Sequence, residues 1–152
     1  MPTFETKNFG TIAYEMESVV EFPAGLPGFE TRRQFVPLCL PDMNPLICLQ
    51  SLEDAGLCFL TLPVLAVDRQ YQLRVSPEDR ERVGLPAGRT LRIGEDVLCL
   101  AVLSLRESGP TANLLGPLVV NLRNRQGVQA VAPESGYSHQ HALVPEEAPV
   151  CS

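Results

Sequence analysis

At residues 97–103 the sequence reads Val-Leu-Cys-Leu-Ala-Val-Leu, a run of apolar side chains introduced by Gly94-Glu95. A short run of this kind with β-branched residues is typical of a strand that is buried on both faces. A buried helix is the alternative, but helices are usually longer, at about ten residues or more. The run therefore predicts a central strand over residues 96–105.

Further short β-like segments lie on both sides of the central strand. They are predicted at residues 11–14, 18–22, 34–40, 46–52, 57–62, 71–75, 111–115, 118–122 and 128–131. Pro, Gly, Asp and Asn lie between these segments and favour turns. The first two segments flank Glu15-Met16-Glu17, and this arrangement predicts a β-hairpin.

One short helix is predicted after the segment at residues 71–75. Ser76 offers an N-cap hydroxyl, Pro77 suits the first helical position, and acidic residues follow in the first turn. Gly84 is a typical residue at the C-terminal end of a helix. The helix is therefore expected to end at about residue 83.

Many short strands with one short helix predict an all-β protein. The first architecture is a small antiparallel β-barrel, closed or nearly closed, and a β-sandwich is the alternative. The length of 152 residues suits one domain with one sizeable core. We place the domain at residues 1–132, and we predict a disordered C-terminal tail at 133–152, where the apolar periodicity is lost.

The charge balance argues against one class of partner. The formal net charge is -6, and the sequence lacks the basic stripe that a general nucleic-acid-binding protein needs. We therefore predict no direct nucleic-acid partner. An acidic chain favours solubility, or a basic partner that approaches electrostatically.

Cysteine usage indicates a reducing cytoplasm. The five cysteines include no Cys-x-x-Cys pair, and their odd number argues against a complete disulfide framework. Four of them lie in apolar runs and are predicted to be small core residues, whereas Cys151 lies in the polar tail. Because neither an apolar signal region nor a bilayer-length apolar stretch is visible, we expect a cytoplasmic protein without a membrane partner.

Motifs that carry chemistry are sparse. The histidines His139 and His141 lie near the C-terminus without clustered Cys or carboxylates, so we expect them to be solvated tail residues and not metal ligands. No phosphate loop, nucleophile elbow or dinucleotide fingerprint is present. The sequence thus predicts no enzyme activity, no cofactor and no metal site. A small-ligand-binding or enzymatic β-barrel is the alternative, because barrels often hold ligands.

Two groups of polar residues need an interpretation. Asn113 and Asn121 lie in otherwise apolar strand segments, as does Gln50 at the end of one, and we expect these amides to cap or bridge neighbouring turns. Three glutamates surround the first predicted hairpin. They form either a solvated rim or an acidic patch for a basic partner.

Two motifs carry a resemblance to a known family. Phe-Pro-Ala-Gly-Leu-Pro-Gly-Phe-Glu occupies residues 22–30, and Thr-Ala-Asn-Leu-Leu-Gly-Pro-Leu-Val-Val-Asn occupies residues 111–121. Shorter matches lie at residues 9–12, 49–54, 59–63 and 127–131. In this order and spacing the chain resembles the flagellar assembly factor FliW family. It departs from the family pattern at Cys48, where an aromatic residue is typical, and at Gly116, where Ala is more usual.

The resemblance implies a small cytoplasmic regulator that is not an enzyme. It implies two protein partners, flagellin and the RNA-binding translational repressor CsrA. In the family, accumulated flagellin holds FliW, and export of flagellin frees FliW to antagonise CsrA. FliW acts away from the main RNA-contact surface of CsrA, hence allosterically, and it thereby couples flagellin translation to export.

For the surface that contacts these partners, we select acidic residues and one aromatic loop residue. The acidic residues would attract a basic RNA-binding protein, and the aromatic side chain would supply apolar contact area. The predicted partner-binding residues are Glu15, Glu17, Glu21, Phe29, Glu53 and Asp54.

Overall fold

The computed structural model describes residues 1–143, and β-strands dominate them. The strands are β1 (Thr3–Thr6), β2 (Gly10–Ala13), β3 (Val20–Glu21), β4 (Gln34–Cys39), β5 (Ile47–Ser51), β6 (Cys58–Pro63), β7 (Val97–Arg106), β8 (Gly109–Ala112), β9 (Leu118–Asn121), β10 (Gly127–Gln129) and β11 (His141–Ala142). Two short helices, α1 (Val64–Val67) and α2 (Pro77–Val83), accompany them. The all-β class is confirmed. Neither helix in this part of the chain has the length and hydropathy to span a bilayer.

Strand β7 lies at the centre of the main sheet, as the sequence predicts. The sheet has the order β10-β9-β7-β6-β5-β4-β3, and β8 also pairs with β7 beyond the end of β9. Successive side chains of a strand point to opposite faces. Cys99 and Ala101 therefore pack in one apolar cluster, whereas Leu100 packs in another on the opposite face.

The two clusters form two cores. The first core is built around Val64, Tyr71, Val83, Val97, Cys99, Ala101, Leu114 and Val119. The second core is built around Val20, Phe22, Leu26, Phe35, Leu49, Leu100, Leu118 and Val120. Since β7 contributes to both, the apolar run at residues 97–103 is a strand with two buried faces.

The predicted barrel closure is wrong. The terminal strands of the sheet, β3 and β10, are joined by one isolated bridge between Glu21 and Gln126, not by a ladder. The Glu21 amide donates to the Arg125 carbonyl oxygen at 3.0 Å beside this bridge. Strand β3 has two residues and β10 has three, so neither edge is long enough for a ladder that closes the sheet.

The predicted hairpin around residues 15–17 is also wrong. Strand β2 pairs with β1, with Phe4 opposite Ile12, whereas β3 pairs with β4. The turn of the real hairpin is closed by Thr6, whose hydroxyl donates to the Gly10 carbonyl at 2.8 Å and accepts from the Phe9 amide at 2.8 Å. A 3-10 turn at Met16–Ser18 then carries the chain away from β2.

The segment at residues 71–75 is not a strand, although its side chains alternate as predicted. Tyr71 and Val75 are buried in the first core, but no strand in the described residues pairs with their backbone. The Tyr71 hydroxyl instead donates to the Leu114 carbonyl at 2.7 Å. The short helix α1 precedes this segment and is not predicted from the sequence.

Helix α2 is confirmed with its predicted ends. The Ser76 hydroxyl accepts from the Asp79 amide at 3.1 Å, which satisfies one of the free N–H groups of the first turn. Gly84 ends the helix in the left-handed conformation with a φ of 77°. The Ser76 side chain at one end and the Gly84 backbone at the other thus fix the length of the helix.

The domain does not end at residue 132 as predicted. Strand β11 pairs with β8, and the Tyr137 ring stacks on the Tyr71 ring with centroids 4.4 Å apart. Leu143 also packs against the first core. These contacts attach residues 133–143 to the domain, although the sequence shows no apolar periodicity there. The remainder of the predicted tail, residues 144–152, lies outside the described residues.

A candidate protein-binding surface

The loop at residues 22–33 holds its shape through a close backbone contact. Gly25 has a φ of +72°, and a Cβ at this position would lie 2.5 Å from the Glu30 Cα. The Glu30 carboxylate accepts from the Gly28 amide at 3.1 Å on the far side of the turn. Gly25 is therefore required by both its conformation and its surroundings.

The loop buries one apolar side chain and exposes another. Leu26 is 4% exposed and belongs to the second core, whereas Phe29 is 38% exposed. The Phe29 ring packs edge-on against Phe59 at a centroid distance of 5.3 Å. Phe59 in turn contacts Phe35 at 5.8 Å. The exposed ring thus has a rigid support, which suits an aromatic residue that contacts a partner.

A shallow cleft of about 330 Å³ lies beside Phe29. The Arg32 Nε atom and the Asp54 Oδ2 atom lie 3.6 Å apart at this cleft, with their side chains 38% and 41% exposed. An exposed pair of this kind stabilises a fold by about 1 kcal/mol at most. The structure therefore brings two of the predicted residues, Phe29 and Asp54, to one accessible cleft, where Asp54 pairs with Arg32.

Glu53 has a structural role that the sequence did not predict, beside the partner contact that remains a prediction. Its Oε1 atom accepts from the Arg33 amide at 2.6 Å and from the Gln34 amide at 3.0 Å. The Ser51 hydroxyl accepts from the Glu53 amide at 3.0 Å and keeps the backbone in place. The carboxylate of Glu53 thus ties the start of β4 to the β5–β6 turn.

Glu15, Glu17 and Glu21 are exposed, but no hairpin joins them. Glu15 and Glu17 flank the start of the 3-10 turn, where Met16 is 66% exposed, and Glu21 lies in β3. Within residues 1–143 none of the three carboxylates forms an ion pair. This arrangement fits both interpretations, the solvated rim and the acidic patch.

The three amide residues bridge turns as predicted. Asn121 Nδ2 donates to the Val83 carbonyl at 2.9 Å and so joins β9 to α2. Asn113 Oδ1 accepts from the Gly116 amide at 2.8 Å. Gln50 Nε2 donates to the Asp54 and Ala55 carbonyls of the β5–β6 turn at 3.4 Å and 3.3 Å.

Another groove, which the sequence did not reveal, lies over the second half of β7. It has a volume of about 210 Å³. We call it the β7 groove, and it is lined by Leu26, Pro27, Phe59, Val102, Ser104, Arg106, Asn113, Leu118, Gln129 and His139. The signal in the sequence is the change from apolar to polar at alternate positions 102, 104 and 106 of one strand face.

Comparison with known proteins identifies the family. The family model described as FliW protein matches residues 3–143. The chain belongs to the FliW family.

Similar FliW proteins come from several bacteria. The flagellar assembly factor FliW of Clostridium botulinum is 30% identical over 146 residues, which cover 94% of this chain and 99% of that protein. That of Syntrophomonas wolfei is 29% identical over 138 residues, covering 88% and 83%. A crystal structure of the flagellar assembly factor FliW matches with a TM-score of 0.81 and 29% identity, covering 97% of this chain and 100% of that one.

In this FliW family member a further surface cleft, of about 600 Å³, holds acidic and basic residues. Its Asp96 carboxylate is engaged by the Arg92 amide at 2.8 Å and by Arg89 at 3.2 Å. The hydrogen bond from the Arg92 backbone, with the charge of Arg89, lowers the pKa of Asp96. Glu95 pairs with Arg92 at 3.1 Å. Both carboxylates thus stabilise the loop that leads into β7.

The histidines and cysteines of this FliW domain are dispersed. His141 lies in β11 and His139 lines the β7 groove, so neither belongs to an unstructured tail as predicted. Among the described residues, no three His, Cys, Asp or Glu side chains are placed to hold a metal ion. Cys48 and Cys99 are buried and Cys58 is half-buried, as expected for core residues, but Cys39 is exposed.

Proposed function

We propose that this protein is a non-enzymatic regulator of flagellum assembly that binds flagellin and the translational repressor CsrA in the cytoplasm. The observation that carries the proposal is the match of the FliW family model to residues 3–143. By antagonising CsrA at a site away from its RNA-contact surface, the protein couples flagellin synthesis to flagellin export.

The electrostatics of the surface support a basic partner. The chain carries a formal net charge of -6, and Glu15, Glu17 and Glu21 are exposed. A basic RNA-binding protein approaches such a surface faster at low salt, because the attraction is screened within about 10 Å at 0.1 M salt. The surface that carries Glu15, Glu17 and Glu21 is therefore our candidate for the CsrA contact.

The loop surface supports a partner with an apolar face. Phe29 is exposed on a rigid aromatic support, and the Arg32–Asp54 ion pair lies beside it with both side chains partly exposed. An amphipathic helix that presents one apolar residue to the ring and polar residues to its rim would suit this surface. We assign flagellin to it, and two partners that contact overlapping parts of the surface would exclude one another without a conformational change.

The experiment is co-elution in size-exclusion chromatography. The purified protein is mixed at low salt with flagellin and with CsrA from the same organism, separately and together. We expect each partner to co-elute with it, and flagellin to displace CsrA. If neither partner co-elutes, the proposed function is wrong.

Charge reversal locates the CsrA contact. Glu15→Lys with Glu17→Lys should weaken CsrA binding and flatten its salt dependence, because attractive pairs become repulsive. Glu107→Lys with Glu134→Lys is the matched control, since both of these glutamates are exposed and the change in net charge is the same. Equal losses in the two variants would show a general effect of charge and would move the site elsewhere.

A further inference from the structure

The β7 groove has an apolar end and a polar end. Val102, Ser104 and Arg106 point to the same face of β7, because alternate residues of a strand do so. At the inner end, Val102 lies among Leu26, Phe59 and other apolar side chains. At the outer end, Ser104 and Arg106 are exposed. A ligand that enters this groove thus passes a polar mouth before it reaches an apolar pocket.

Two amide side chains in the groove are fixed in opposite orientations. Gly116 donates its backbone N–H to Asn113 Oδ1 at 2.8 Å, and its carbonyl accepts from Gln129 Nε2 at 2.9 Å. A backbone N–H can only donate and a carbonyl can only accept. These bonds therefore determine which polar atom of each amide remains free for another hydrogen bond. The remaining atoms are the Asn113 Nδ2 donor and the Gln129 Oε1 acceptor, which have no partner within residues 1–143.

The free donor and the free acceptor complement a peptide group. A peptide bond offers one carbonyl acceptor and one N–H donor. The carbonyl can accept from Asn113 Nδ2, and the N–H can donate to Gln129 Oε1. The groove volume of about 210 Å³ is below the roughly 300–1,000 Å³ of sites that hold whole small molecules. It is therefore better suited to part of a polypeptide than to a cofactor.

The basic residues at the groove favour acidic peptides over basic ones. The ionisable residues that line it are Arg106 and His139, and no carboxylate lines it. Arg106 is exposed and makes no ion pair or side-chain hydrogen bond with the described residues. In a chain of net charge -6, this mouth attracts an anionic group locally.

We propose that the β7 groove binds an extended acidic segment of a partner protein. One apolar side chain of the segment enters among Leu26, Phe59 and Val102, one of its peptide groups bonds to Asn113 and Gln129, and a neighbouring carboxylate pairs with Arg106. The segment is recognised by this chemistry whichever protein supplies it, so the site does not depend on the partners assigned above.

The test uses the full chain labelled with ¹⁵N and short peptide probes, followed by ¹H–¹⁵N NMR. The acidic probe is N-acetyl-Gly-Leu-Glu-Glu-Gly-amide. The basic probe has Lys in place of both Glu, and the polar probe has Ser in place of Leu. We expect the acidic probe to shift the side-chain NH₂ signals of Asn113 and Gln129 and the backbone signal of Ser104. The basic and polar probes should bind more weakly by at least about threefold, because each loses one contact.

Two variants test the assigned contacts. Arg106→Gln should weaken the acidic probe by about three- to tenfold, as expected for the loss of a partly screened charged hydrogen bond. Arg123→Gln removes the same charge from an exposed residue outside the groove and should leave the affinity unchanged. Asn113→Asp keeps the acceptor for the Gly116 amide but removes the free donor. It should therefore weaken the binding of an uncharged probe that has Gln in place of both Glu, while the circular dichroism spectrum of the protein stays the same.

Four outcomes would overturn the proposal. The first is that no probe shifts the groove signals up to the solubility limit, and the second is equal binding of the acidic and basic probes. The third is that an octamer of uridine shifts these signals when the peptides do not, which would assign the groove to RNA. The fourth is a shift with protein concentration alone, which would assign it to a second copy of the chain. Peptide binding without co-elution of CsrA or flagellin would leave the groove site standing and refute only the proposed function.

Discussion

The substitution Gly25→Ala tests whether the loop that carries Phe29 depends on a close backbone approach. The alanine Cβ would lie 2.5 Å from both the Cα and the carbonyl oxygen of Glu30, where an ordinary contact needs 3.4 Å or more. The backbone φ of +72° adds the cost of a left-handed conformation, about 1–2 kcal/mol. Relief of the overlap requires the backbone to move, at about 1–3 kcal/mol. We therefore expect a loss of about 2–5 kcal/mol in the free energy of unfolding.

The same loop supplies the control, Gly28→Ala. Gly28 has a φ of +84°, but a Cβ there would meet nothing within 4 Å. It should therefore lose only the conformational part, about 1–2 kcal/mol. Urea unfolding followed by far-ultraviolet circular dichroism measures both variants, since the chain has no Trp. If the two losses agree within about 0.5 kcal/mol, the close approach of Gly25 to Glu30 is not a determinant of the loop.

Three further predictions concern single side chains. A thiol reagent should modify Cys39 quickly in the folded protein and Cys99 only on unfolding, because Cys39 is exposed whereas burial raises the pKa of Cys99 to about 12; equal rates at pH 8 would contradict this. Ser76→Ala should lower the free energy of unfolding by about 1 kcal/mol through loss of the N-cap of α2, and Ser76→Asp, which can also cap, should retain most of it. Asp96 has a lowered pKa in the folded state because of its hydrogen bond to the Arg92 amide, so its stabilisation is present above the unfolded pKa and lost as the pH falls through the folded pKa. Asp96→Asn should therefore destabilise the protein at neutral pH but much less in strong acid, and a loss that does not change with pH would refute the assignment.

The features that the sequence predicts correctly depend on local signals. The run at residues 97–103 is too short for a helix and too apolar for a surface strand, so its burial on both faces follows from composition. Helix α2 is bounded by Ser76 and Gly84, whose conformational preferences act within a single turn. In both cases the information lies within a few residues of the element itself.

The features that it predicts wrongly depend on pairing between distant segments. Residues 71–75 alternate like a half-buried strand, but alternation shows only that an extended segment covers a core, not that its backbone joins a ladder. Tyr71 finds its partner 43 residues away, at Leu114. Strand β11 likewise pairs with β8, and its composition gives no sign of this.

The candidate surface is also predictable only where its residues are identified by local signals. Phe29 in a loop rich in Pro and Gly is identifiable from the sequence, because such a residue either packs inward or contacts a partner. The role of Glu53 is not identifiable, because its carboxylate bonds to the amides of Arg33 and Gln34, about twenty residues earlier in the chain. The sequence alone does not distinguish a carboxylate that bonds to backbone amides within the fold from one that binds a partner.

The loop surface and the β7 groove are physically connected. Leu26 and Phe59 line the groove, and Phe59 also supports the Phe29 ring at 5.3 Å. A side chain that enters the groove would therefore contact the same ring that supports Phe29. Mutual exclusion of two partners would then need no conformational change. It would need only two ligands whose contacts meet at Phe59.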